Sequence, residues 1–172
     1  MDLVRQFWSR SSWLQAISND ILTAVALVCA GCTNFKAKYI EDKTYTFCGT
    51  PNYLPPEVIR NSGHDFSADN WSLGVVIYEL VEGENPFFYP GMDQMTLFES
   101  ICTDTPYPVE KEVSNAALDL IDKLLTKNPD KRLGTFRQKD ILAHEWFSDI
   151  DLHKLRRKKL ESPWVPDPLI LE

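Results

Sequence analysis

Thr46-Phe-Cys-Gly-Thr-Pro-Asn-Tyr-Leu-Pro-Pro-Glu57 and, a few residues on, Gly63-His-Asp-Phe-Ser-Ala-Asp-Asn-Trp-Ser-Leu-Gly74 decide how this chain folds. The first string is punctuated by glycine and proline, which marks an irregular segment. Proline is tolerated in the first turn of a helix, so Pro55-Pro56 can open a short one that Gly63 ends. A second start follows at Ser67-Ala-Asp-Asn, and from Trp71 to Val81 the residues are apolar nearly all round. That pattern predicts a buried helix, with Gly83 to cap its end.

Further along, Glu84-Asn-Pro-Phe-Phe-Tyr-Pro-Gly is a loop by its Pro and Gly content, and Met92 to Thr103 carries Met95, Phe98 and Ile101 at helical spacing. Ser114 can cap a further helix, whose stripe of Leu118, Ile121, Leu124 and Leu125 ends before Asn128-Pro129. Another covers Gln138 to His144. Beyond Trp146-Phe147, the basic cluster Arg156-Arg-Lys-Lys and three late prolines predict an irregular tail wrapped over a surface. Upstream, Leu14, Ile17, Ile21, Val25 and Val28 recur at steps of three and four, as on one face of an amphipathic helix. Period-two alternation is scarce, so the chain reads as mainly α.

At 172 residues, with 44% hydrophobic residues, there is material for one globular domain. A net charge of -7, from 25 acids against 18 bases, argues against gripping nucleic acid or anionic lipid and suits basic partners. The four cysteines, Cys29, Cys32, Cys48 and Cys102, are too sparse for a secreted disulfide scaffold and read as reduced thiols in the cytoplasm. Cys29 and Cys32 form a lone C-x-x-C with no second pair to complete a zinc set. Cys48 reads as a quiet packed thiol, redox modification being the alternative. His64, His144 and His153 stand apart from any acid or cysteine set in the sequence, so none is assigned to metal or general-base chemistry. The apolar run Ile21–Cys32 is shorter than the ~20 residues that span a bilayer. A signal peptide is the alternative for this region, since Arg5 and Arg10 precede the run and Ala30-Gly31 ends it. Asp20 against the run and the helical spacing favour core packing.

The two opening strings resemble, in order and without interruption, the end of the activation segment and the buried central helix of AGC-type serine/threonine protein kinases, closest to the cGMP-dependent branch; Pro55-Pro-Glu57 stands in place of A-P-E. Asn128-Pro-Asp-Lys-Arg-Leu-Gly134 and His144-Glu-Trp-Phe147 follow in the family's order, and Pro163-Trp-Val-Pro166 is similar to the beginning of an AGC tail. The resemblance implies the helical C-terminal lobe of the protein-kinase fold without the β-rich N-terminal lobe. It divides the chain into an unmatched segment 1–35, a lobe over 36–147 and a tail over 148–172.

The same resemblance assigns roles residue by residue. Thr46, beside Lys43 and within the family's reach of Lys38, matches a phosphoacceptor for an activating kinase; a phosphate there would recruit cations and order the loop. Taken alone it is an ordinary loop threonine. Phe47, Gly49, Pro51 and Leu54 match the pocket for the residue after the substrate's phosphoacceptor, and Thr50 the threonine that braces the catalytic aspartate and lysine. Glu79 matches an acid that selects arginine upstream of the phosphoacceptor, the alternative being a carboxylate satisfied within the core. Asp69 matches the aspartate that fixes the catalytic-loop backbone and is also a good helix-start residue. Glu57 and Arg132 match positions that form a buried ion pair.

In the intact family, ATP and magnesium are held by a glycine-rich loop, a strand lysine, and aspartate and asparagine ligands. Here seven glycines make no G-x-G-x-x-G, and no H-R-D or Y-R-D occurs. Where D-F-G should precede Ala37, the sequence reads Thr33-Asn-Phe-Lys36, which sets Thr33 or, with a gap, Asn34 at the magnesium aspartate. No catalytic or metal-binding residue and no cofactor is therefore expected in this chain, which phosphoryl transfer by positioning and charge stabilisation would require. Three readings stay open. The chain is part of an ATP-dependent kinase whose other parts lie elsewhere, a pseudokinase-like module for basic Ser/Thr-containing peptides, or a truncated gene product without its own role. Reduced cysteines and the lack of a spanning segment place it in the cytoplasm.

Overall fold

The computed structural model describes residues 43–160. The helix expected around Ile21, the Cys29–Cys32 pair, Lys38, the Thr33-Asn-Phe-Lys36 string and Pro163-Trp-Val-Pro166 lie outside the described residues. Six α-helices run through the described part: α1 (Pro56–Ile59), α2 (Ser67–Glu82), α3 (Gln94–Thr103), α4 (Asn115–Leu124), α5 (Lys139–Leu142) and α6 (Leu152–Arg156). Single 3-10 turns at Pro51–Tyr53, Pro129–Lys131 and Glu145–Phe147 connect them. Among the described residues there is no strand, only an antiparallel bridge between Thr44 and His64. The lobe is mainly α.

The apolar helix is the axis of the lobe. In α2, Trp71, Val75 and Ile77 are wholly buried, and each large apolar side chain removed from water contributes roughly 1.5–3 kcal/mol. Its main partner is α4, whose Leu120, Ile121 and Leu124 supply the facing stripe. Gly74 sets how closely the two approach: a β-carbon there would sit 2.8 Å from Leu124 Cβ. At the far end Trp71 stacks on Phe87 with ring centroids 5.5 Å apart. The Lys127 amine rests 4.0 Å from the Phe87 centroid and donates to the Ile101 carbonyl at 2.5 Å. Burial lowers its pKa to about 8.

Several helix ends depart from the sequence reading for local reasons. Ser67 does begin α2, but the carboxylate that meets its free N–H groups is Asp65, whose Oδ1 accepts from Ser67 N at 2.7 Å. Asp69 falls inside the first turn, where a carboxylate still favours the helix dipole. Met92 is left out of α3 because Asp93 takes the cap, accepting from Met95 N and Thr96 N. Ser114 caps α4 through Ala117 N, as its position predicts. The helix expected over Gln138–His144 shrinks to α5, and the tail expected to be irregular contains α6, which Asp151 caps through His153 N and Lys154 N.

His144 is also not isolated. Its Nε2 lies 2.8 Å from Asp119 Oδ2 on α4, and its Nδ1 accepts from Trp146 N at 3.3 Å, so the ring brackets α4 to the turn Glu145–Phe147. These two partners place the proton on Nε2 when the ring is neutral. Two residues far apart in the sequence thus share one local bracket.

Tyr78, fully inside the lobe, donates from its hydroxyl to the Tyr107 carbonyl at 3.0 Å. Burial, reinforced by the charges of Glu82, Glu110 and Glu84, lifts its pKa from 10.0 to about 12. The folded state therefore favours the protonated phenol. That contribution is complete below the unfolded pKa and is lost as pH rises from 10.0 to about 12. Tyr78→Phe is expected to lose less stability than the wild type across that interval, read as the shift of the urea midpoint between pH 9 and 12; parallel curves would contradict this.

Among the described residues no helix is long and apolar enough to cross a membrane.

Candidate functional site

The segment ahead of α1 forms an exposed rim that meets α2 at Ser72 and Glu79 and α3 at Phe98. Its outer end is pinned at Thr44, which exchanges two backbone hydrogen bonds of 2.9 Å with His64. Thr46 follows, exposed, with its hydroxyl 3.4 Å from that of Thr44. Phe47 is 54% exposed and meets Phe98 of α3 edge-on, centroids 6.1 Å apart. Cys48 is exposed rather than packed.

Gly49 then turns the chain at φ 129, where a β-carbon would be strained and would press within 3.0 Å of Leu54 Cδ2. Thr50, exposed, accepts from Tyr53 N at 3.0 Å and so begins the turn Pro51–Tyr53. Pro51 is half-buried, whereas Leu54 is only 5% exposed. Leu54 therefore supports the rim from beneath, while Phe47, Gly49 and Pro51 present its outer surface.

Behind the turn stands Glu79. Tyr53 donates its hydroxyl to Oε2 at 2.7 Å, and Asn85 donates its amide to Oε1 at 2.8 Å. Burial, then the hydrogen bond to Glu79 and its charge, raises the Tyr53 pKa well above its ordinary value, so the phenol stays a donor. Asn85 is itself buried and its Oδ1 accepts from Phe87 N at 3.0 Å. The carboxylate is only partly buried, and one acceptor direction on each oxygen remains. Glu79 thus has one donor on each oxygen from its own chain.

The base of the rim is locked to the far end of the lobe. Arg132 Nη1 and Nη2 reach Glu57 Oε1 and Oε2 at 2.7 and 2.9 Å, a two-pronged pair with both side chains almost wholly buried. Nη1 also donates to Ser67 O at 2.8 Å, Nε donates to Thr126 O at 3.0 Å, and the guanidinium lies 5.2 Å from the Trp71 ring centroid. Rim, α2 and the α4 exit meet in this one group. Asp69 lies apart from it, exposed at the start of α2; crowding around the carboxyl raises its pKa, offset in part by His64.

The residue types set out by the sequence therefore fall in three places. Thr46, Phe47, Gly49, Thr50 and Pro51 share the rim, Leu54 and Glu79 lie behind it, and Glu57 with Arg132 anchors it. Tyr53, Asn85 and Phe98 are not assigned to the site from the sequence, although Tyr53 stands within the decisive stretch and Phe98 within a helical stripe. Nothing in the spacing of Asn85 and Glu79 announces their contact, which depends on how the chain turns after Gly83. Among the described residues no three His, Cys, Asp or Glu side chains cluster so as to hold a metal ion.

The helical lobe built on a buried apolar helix, with its rim anchored by an arginine–carboxylate pair, is consistent with the helical lobe of a protein kinase. Residues 33–147 match the protein kinase domain, and the chain belongs to that family. Its similarity runs to AGC-type serine/threonine kinases. It is 42% identical over 124 residues to cGMP-dependent protein kinase 2 of Homo sapiens, covering 70% of this chain and 16% of that protein. Protein kinase C delta type of Mus musculus is 41% identical over 127 residues, 73% of this chain and 18% of that protein. Protein kinase 2 of Dictyostelium discoideum is 40% identical over 132 residues, 76% of this chain and 27% of that protein. The chain thus spans between 16% and 27% of the length of these relatives.

Proposed function

We propose that this chain acts in the cytoplasm as the peptide-docking part of a serine/threonine kinase, holding basic Ser/Thr-containing segments while transferring no phosphate by itself. Residues 36–147 form the docking lobe, with 1–35 and 148–172 as separate segments. The observation that carries the reading is the Glu79 carboxylate, oriented by Tyr53 and Asn85 behind an exposed rim. A fixed carboxylate with free acceptor directions suits a guanidinium, and exposed Phe47, packed on Phe98, offers an apolar contact elsewhere on the rim. Asp69 is left for a catalytic-loop backbone, and Thr46 for phosphorylation by an activating kinase.

The test has two arms. Titration calorimetry with magnesium and ATP, paired with radiolabel transfer to an arginine-rich serine peptide, is expected to show neither binding nor transfer. Fluorescence anisotropy with the same peptide is expected to show saturable binding that weakens about tenfold or more in Glu79→Gln, the loss of one charge-assisted contact. Chelator-sensitive transfer would overturn the first arm, and unchanged affinity in Glu79→Gln the second.

A further inference from the structure

The basic-peptide reading leaves open which cation Glu79 prefers, and the loop after α2 bears on this. Asn85 makes two contacts with different consequences. Its Oδ1 accepts from Phe87 N, which shapes its own turn, while its Nδ2 donates to Glu79 Oε1. Tyr53 holds the other oxygen. The terminal torsion of a glutamate is soft when nothing grips it. Here one donor on each oxygen fixes the plane of the carboxylate and leaves one acceptor direction on each.

Two open directions on two oxygens match the parallel N–H groups of a guanidinium, whereas an ammonium is a point charge served as well by either oxygen alone. Resting on the docking reading, we propose that Asn85 is a positioning residue for Glu79 and makes this site discriminate arginine from lysine in the bound peptide. Without its amide, Oε1 is released, the carboxylate turns about its last bond, and the geometric advantage of the fork disappears.

The readout is a ratio, because a purely structural defect weakens both cations alike. Fluorescein-labelled serine peptides with a single arginine placed two to six residues before the serine, and their lysine counterparts, are titrated against the full chain. Wild type is expected to favour arginine about tenfold or more at one position, as one charge-assisted hydrogen bond is worth. Asn85→Ser keeps an oxygen that can accept from Phe87 N but is too short to reach Glu79. Its ratio is expected to fall below about threefold, a small fraction of such a bond.

Asn85→Thr likewise keeps an oxygen that can accept from Phe87 N and cannot reach Glu79, brings no second carboxylate against it, and is expected to lose discrimination in the same way. It carries the decision should Asn85→Ser fail to fold. Wild-type discrimination that survives substitution overturns the role of Asn85 alone. Failure of the wild type to bind any of the peptides overturns the docking reading, and this one with it.

Discussion

Arg132→Met is expected to cost about 3–5 kcal/mol of folding stability, the usual consequence of stranding one member of a buried ion pair. The guanidinium is wholly buried, and its removal leaves the Glu57 carboxylate, the Ser67 carbonyl and the Thr126 carbonyl without their donor. Glu57→Gln is milder in one respect, because Arg132 keeps both carbonyls. The double substitution removes both charges and is expected to cost clearly less than the two single losses added together. Were the two groups an ordinary exposed pair, the whole effect would be ~0–1 kcal/mol. Equilibrium urea unfolding of the three variants separates the cases if the transition is cooperative. Additive losses below about 1 kcal/mol each would show that the contact contributes nothing.

The second large effect is expected at Gly134, a residue with no chemistry. Its φ is 88, in the left-handed region, and a β-carbon there would lie 2.6 Å from Ile141 Cδ1 and 2.9 Å from Asn70 Nδ2. The Asn70 amide donates to Leu133 O at 3.2 Å, so a methyl group also intrudes on the bond that ties α2 to this turn. Left-handed backbone costs roughly 1–2 kcal/mol for a non-glycine residue, and overpacking a further 1–3. Gly134→Ala is therefore expected to lose about 2–5 kcal/mol in the same urea experiment. Ile141→Val in that background removes one offending methyl and should return part of the loss. No recovery would place the cost in the backbone and in the contacts that remain, the γ-carbon of residue 141 and Asn70 Nδ2.

The parts of the lobe that depend on periodicity were open to reading from the sequence. The run from Trp71 to Val81 is too apolar for a surface helix, and the structure places it at the centre with Ser72, Leu73, Glu79 and Leu80 partly exposed. Ser114 stands just ahead of an apolar stripe, where it can act only as a cap. Caps were harder to assign where several suitable residues crowd together: Asp65, Ser67 and Asp69 all suit the start of α2, and which one serves depends on the direction of entry from the His64 bridge. The same limit hid the surroundings of Glu79. Its matched position could be identified, but Tyr53 arrives from 26 residues upstream and Asn85 after a loop, so their contacts follow from three-dimensional closure. Leu54 shows the reverse. Its place in a docking string says nothing of its depth, and only the fold shows it 5% exposed beneath the rim.

The Glu57–Arg132 clamp has a further consequence in heredity. Proteins commonly hold only about 5–15 kcal/mol in reserve, so a codon change at either position alone removes a large part of that margin at once. Exchange of both residues for apolar ones of similar volume removes both charges and leaves only the Ser67 and Thr126 carbonyls without a donor, whereas each intermediate with a single charge left behind is poorly tolerated. Two codons 75 positions apart are thereby bound to drift together or not at all, a constraint set by the desolvation of one guanidinium.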